Sequence, residues 1–229
     1  AQDKGGIVVT GLFEAKNYMN LALSADPNTP MAWALVNDMT FEDVPRRTLS
    51  DTGGGFVQDG KLHYFGPSSN FYSRPFSDAA IGTPTNLSET VGYLDTNYNL
   101  TADDQPYGVS ETVAAAYQPD TGRILYVKQG DSRLYQRGYS LQSGIIGGSE
   151  YTASTADWSG ARALTFIGDW LYAAWSDGRL YRYFAPRGEV NIASRTVVDN
   201  GAQVDWEDAR GFWATRASGS AVQPTPPGE

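Results

Sequence analysis

WSDGRLYRYF, from Trp175 to Phe184, is written a second time upstream as KQGDSRLYQRGY, from Lys128 to Tyr139. Both stretches place an aspartate two residues before Arg-Leu-Tyr and then alternate in character. Alternation at period two marks a strand with unlike faces, and an Asp/Gly turn before it supplies the positive-φ position of a tight reversal. The stretch therefore predicts a hairpin. A third copy, DGKLHYFGPSSNFYSRPF, begins at Asp59, so that Leu62, Leu125 and Leu171 correspond, as do Tyr72, Tyr135 and Tyr181, both series spaced by 63 and then 46 residues.

A second marker repeats as well: DWSGAR at Asp157 returns as DWEDAR at Asp205, an offset of 48 residues, each copy preceding an apolar segment. A period near 46 built from short strands predicts an all-β chain, a β-propeller of four four-stranded antiparallel blades, with five blades as the alternative. The units are expected at 7–52, 53–111, 112–160 and 161–208, with a lone strand at 209–215 that pairs with N-terminal strands to close the ring. The propeller thus spans 1–217, and 218–229 has the Ser/Gly/Pro composition of a linker or flexible tail, which leaves room for neighbouring modules in a larger chain. The first unit rests on the period alone. The second is longer than its companions because of the segment 88–111, expected to project as a loop from one face.

Composition narrows the function. Of 229 residues 41% are hydrophobic, enough for a full core, and the absence of cysteine removes disulfides, thiolate metal sites and thiol nucleophiles. Net charge is −9 with basic residues scattered singly, so no phosphate-neutralising stripe for nucleic acid is present. No apolar run is long enough for a membrane helix, and residues 1–20 lack the order of a signal peptide. The single histidine, His63, sits in GKLHYF and reads as a strand residue.

The strings GDSRLYQRGYSLQSGIIGGSEYTAS, from Gly130, and WSDGRLYRYF resemble secreted actinobacterial β-propeller modules found in large exported multidomain proteins. The likeness covers residues 50–215. It implies an extracellular or cell-surface binding or display role, in a module without an activity of its own, and names no ligand.

Candidate chemistry follows from particular residues. A glycosidase would need paired carboxylates, and the acids at unit starts are Asp51, Glu111, Asp157 and Asp205. Asp157 and Asp205 stand in duplicated text, which suits a structural acceptor better than a catalyst, so no catalytic residue is assigned. No serine lies in a G-x-S-x-G string, and GGG at Gly53–Gly55 lacks the Lys-Ser/Thr ending of a phosphate loop, so close backbone packing is its simpler reading. In the long segment Asp95, Asn97, Asn99, Thr101 and Asp103 alternate like the first half of a calcium loop. Leu100 and Pro106 occupy the Gly and Glu positions of an EF-hand, so Ca2+ is the one cofactor this pattern admits and it admits it weakly.

For ligand binding the candidates are Tyr93, Tyr98 and Tyr107 of the long segment, together with Trp175. Aromatic faces beside Asp, Asn and Arg suit a sugar ring. The expected function is a non-enzymatic extracellular module that recognises a glycan or a surface protein. A structural or adhesive subunit of a phage tail or surface appendage, and a glycoside hydrolase fragment, are the alternatives.

Overall fold

The structure, a computed structural model, describes residues 7–13, 16–23, 34–38, 53–65, 71–77, 80–87, 112–201 and 204–216. The described chain is all-β and falls into four antiparallel sheets, none of which closes on itself. The first sheet joins β1 (Ile7–Phe13), β2 (Lys16–Leu23) and β3 (Ala34–Asp38) to the last strand, β18 (Ala209–Arg216), in the order β18-β1-β2-β3. The second runs β4 (Gly55–Gln58), β5 (Lys61–Phe65), β6 (Phe71–Ser77) and β7 (Ala80–Ile81), with β8 (Thr85–Asn86) also on β6.

The third sheet holds β9 (Thr112–Gln118), β10 (Arg123–Lys128) and β11 (Leu134–Ser140), with β12 (Ile145–Ile146) and β13 (Tyr151–Ser154) both on β11. The fourth runs β14 (Ala161–Ile167), β15 (Trp170–Trp175), β16 (Leu180–Phe184) and β17 (Asn191–Asp199). One edge strand of each sheet, β4, β9, β14 or β18, touches the other three. These strands are written in small residues, Gly53–Gly55, Ala114–Ala116, Ala161, Ala163 and Ala209, because four backbones meet there and leave little room for side chains.

The core lies between sheets. Phe56, Phe65 and Phe71 of the second sheet pack on Ile124, Tyr126 and Tyr139 of the third. Leu125, Val127 and Leu134 of the third meet Leu164, Leu171 and Tyr183 of the fourth. Tyr172 and Leu180 of the fourth meet Trp206 and Phe212 at β18. Phe76 of the second sheet and Trp213 of β18 make an edge-to-face pair at 5.2 Å. Strands covered on both faces lose the alternation that sequence reading relies on. Each fully buried Leu or Ile contributes roughly 1.5–3 kcal/mol to such a core.

That loss explains one correction. Tyr72, Tyr135 and Tyr181 face Tyr64, Tyr126 and Ala173 across their hairpins. Leu62 and Leu171 sit two residues before those partners, and in the third sheet that place belongs to Ile124, not to Leu125. The turn between the facing pair Val127 and Leu134 is one residue longer than its equivalent between Ala174 and Leu180, which slides β10 by one position against the expected register. Ile124 and Leu125 are both buried, so hydrophobicity could not distinguish them.

His63 is a packing residue, as its strand context suggests. It stacks on Phe56 at 5.1 Å, and its Nδ1 shares a hydrogen bond with the Tyr139 hydroxyl, 2.8 Å away on β11 of the next sheet. Burial, aided by the charge of Lys61, pushes its pKa from 6.5 down to about 4, against the opposing pull of the Gln58 backbone and Asp59. The unfolded chain therefore takes up a proton near pH 6.5 that the folded chain refuses until about pH 4. Stability contributed by neutral His63 is complete above pH 6.5 and is lost as pH falls toward 4, on the order of 3 kcal/mol over the window. Urea denaturation at pH 7.5 and pH 4.5 should register that loss, and His63→Phe should flatten most of it. An unchanged pH profile in His63→Phe would contradict the assignment.

Candidate functional site

The repeated text builds one local device twice. In the third sheet Asp131 Oδ1 accepts the Arg133 backbone N–H at 2.9 Å, while Oδ2 accepts the Tyr135 hydroxyl at 2.5 Å. In the fourth, Asp177 does the same for Arg179 N–H at 3.1 Å and the Tyr181 hydroxyl at 2.5 Å. The aspartate folds the turn, and the tyrosine locks the turn to the strand that follows.

The second marker docks onto the first. Trp158 N–H donates to the Ser132 carbonyl at 2.7 Å and Trp206 N–H to the Gly178 carbonyl at 3.4 Å, in each case the residue after the turn aspartate. Both indoles are fully buried. Asp157 caps Ser159 N–H at 3.0 Å and Asp205 caps Glu207 N–H at 3.1 Å, so these candidate acids are spent on turns. The bonds from Ser159 hold the Asp157 carboxyl below its ordinary value. The copies differ in one detail: Trp206 Nε1 donates to Asp199 at 2.8 Å, whereas Ser154 stands in the register place of Asp199 and Trp158 Nε1 is buried without a hydrogen bond.

Asp51 and Glu111 lie outside the described residues, as do Tyr93, Tyr98 and Tyr107 and the calcium candidates Asp95, Asn97, Asn99, Thr101 and Asp103. Among the described residues no three His, Asp or Glu side chains gather as a metal site, and no helix is long and apolar enough to cross a membrane. Trp175 is half-buried, with its ring 5.9 Å from both Trp158 and Tyr181. Gly160 makes room for it, since a β-carbon there would come within 2.2 Å of the indole nitrogen.

The repeats diverge at two positions around the locked tyrosine. In the fourth sheet the Tyr181 ring is flanked by Trp175 and covered by the Arg195 guanidinium at 3.8 Å. Strand register places Lys128 where Trp175 stands and Glu150 where Arg195 stands. With these residues the third sheet has an open cleft of about 560 Å³ beside Tyr135, lined by Lys128, Asp131, Arg133, Glu150, Tyr151 and Thr152.

The cleft's charges hold one another in place. Glu150 accepts from Lys128 Nζ at 2.7 Å, from Arg137 Nη2 at 3.2 Å and from the Tyr126 hydroxyl. Burial would raise its carboxyl, but the bonds from Lys128 and Tyr126 and both cations outweigh it and hold it below its usual value. Asp131 is held well below the carboxylate range by hydrogen bonds from Arg133 and Tyr135. Burial and the Glu150 bond push the Tyr126 hydroxyl well above its own range. Lys128 Nζ lies 4.1 Å above the Tyr135 ring. Both carboxylates are thus ionised at neutral pH, and neither holds the proton a general acid must give. Tyr151 stands at the rim, 57% exposed. Fixed donors and acceptors beside an open aromatic face can bind hydroxyl groups.

Sequence reading named Trp175 and missed Lys128, Glu150 and Tyr151. The repeat offset pairs Trp175 with Gln129, and the longer turn of the third sheet is what brings Lys128 into its place.

No family model matches the chain, and no curated protein matches it. Solved structures do. The hemopexin fold protein CP4 from cow pea is 10% identical with a TM-score of 0.51, over 80% of this chain and 86% of that one. A chain of the nidogen/laminin complex is 10% identical with a TM-score of 0.39, and this chain covers 84% of itself but only 61% of that chain. The calcium-binding protein regucalcin from Agrobacterium tumefaciens is 14% identical with a TM-score of 0.39, over 81% of this chain and 58% of that one. At such identities the likeness to CP4 speaks for the fold alone, and the fold is of the β-propeller type.

Proposed function

We propose that the four sheets are the blades of one propeller, closed where β18 joins β1, and that this module is a non-enzymatic extracellular binding unit. Its ligand is a glycan or a glycan-bearing surface partner. The resemblance to secreted actinobacterial modules supports the location. One observation carries the binding role: two blades keep the same turn, yet one fills the space beside its locked tyrosine with Trp175 and Arg195, while the other places Lys128 and Glu150 beside an open, polar cleft. A scaffold that needed only stability would gain from filling both.

The test is a glycan array followed by calorimetry on the best ligand. Tyr151→Ala and Lys128→Ala should each weaken binding by about tenfold or more, the loss expected of a stacking face or a charge-assisted bond. Trp175→Phe should leave affinity unchanged. Absence of any glycan binding, together with concentration-dependent self-association, would replace this reading with an assembly subunit. Turnover of chromogenic glycosides would replace it with a hydrolase.

A further inference from the structure

Beyond the cleft, Thr152 also borders a second groove of about 500 Å³ that runs between the third and fourth sheets. Arg123 and Gln136 form one wall, Arg187, Glu189 and Asn191 the other. Arg187 lies in the turn Pro186–Gly188 at φ 54, one of two non-glycine residues in the left-handed region among the described residues, the other being Asp59 in a tight hairpin turn. Such a conformation is strained for a side chain with a β-carbon.

The arginines sort clearly. Arg74 binds the Tyr64 hydroxyl, Arg133 and Arg179 bind their turn aspartates, Arg137 binds Tyr126 and Glu150, and Arg162 and Arg210 bind carbonyls. Arg182 and Arg195 lie over aromatic rings, and Arg123 gives one bond to Gln136. Among the described side chains, Arg187 is the arginine with no hydrogen bond, ion pair or ring contact. An exposed guanidinium held without a partner, on a backbone that resists its conformation, is not explained by stability.

We infer that Arg187 and Arg123 receive an anionic group, the carboxylate or sulfate of an acidic saccharide whose neutral part rests on Tyr151; this rests on the cleft reading given above. Guanidinium forks match both oxyanions. The groove carries two guanidinium groups against the single carboxylate of Glu189, a local reversal of sign on a chain of net charge −9. Attraction so local is sensitive to salt.

Four probes separate the possibilities: trigalacturonate and its methyl ester, which share a backbone and differ in charge, and dextran sulfate against dextran. Titration should find one acid bound about tenfold tighter than its neutral counterpart at low salt, with the gap closing as salt is added. Which pair responds identifies carboxylate or sulfate. Arg187→Gly should abolish the gap and also raise Tm by about 2–4 °C, because glycine accepts that φ freely. A residue needed only for folding would lower Tm instead. Tyr151→Ala should weaken acid and neutral forms by the same factor.

If acid and neutral forms bind alike and Tyr151→Ala weakens both, the anion site is wrong and the cleft stands. If neither acid binds while a neutral glycan from the array does, the inference fails in the same way. A lowered Tm in Arg187→Gly overturns the argument from strain.

Discussion

Gly54→Ala is expected to cost about 4 kcal/mol, a large share of the protein's stability at 25 °C. Gly54 has φ +109, and a β-carbon there would lie 2.5 Å from the Ala115 backbone nitrogen on β9. Two penalties add: about 1–3 kcal/mol for a conformation that only glycine tolerates, and about 1–3 kcal/mol for overpacking. The neighbour is backbone of β9, packed where four strands meet, and has nowhere to move. Against a typical total of about 5–15 kcal/mol the loss is large. Gly60→Ala is the control, since φ is +70 there but no atom lies within 4 Å, so only the conformational cost of about 1 kcal/mol applies. Urea midpoints of the two variants measure the difference. Equal midpoints would mean that β4 and β9 do not approach as closely as the structure places them.

The repeat, the strand-turn-strand units and the structural use of Asp157, Asp205 and His63 were legible because each leaves a local trace. Aspartate before Arg-Leu-Tyr is a turn bond written in five letters, and a duplicated DW pair points to two identical environments. The register of β10 was not legible, because one residue added at a turn leaves no mark in a strand buried on both faces. The candidate cleft was hidden for another reason. Its residues come from β10, the following turn and the approach to β13, and their significance emerges only when Lys128 and Glu150 are set against Trp175 and Arg195. Arg187 gave no signal at all, since a strained backbone angle is invisible in the letter R.

The proposed ring depends on one seam. β18 runs antiparallel to β1 with Val9 opposite Ala214, so the last described strand completes the sheet begun by the first. Facing residues in an antiparallel pair have Cα atoms about 4.5–5.5 Å apart, within the range a disulfide spans. The chain contains no cysteine, so Val9→Cys combined with Ala214→Cys introduces two thiols and no competitors. Closing a loop of that length should stabilise the protein by on the order of 5 kcal/mol through the entropy removed from the unfolded chain.

Mild oxidation of this double variant, followed by non-reducing electrophoresis and thermal melting with and without reductant, tests the seam most directly. The account predicts a monomer with an internal crosslink and a Tm gain that reductant erases. Two freely alkylated thiols in the folded protein, or crosslinks between chains alone, would contradict it.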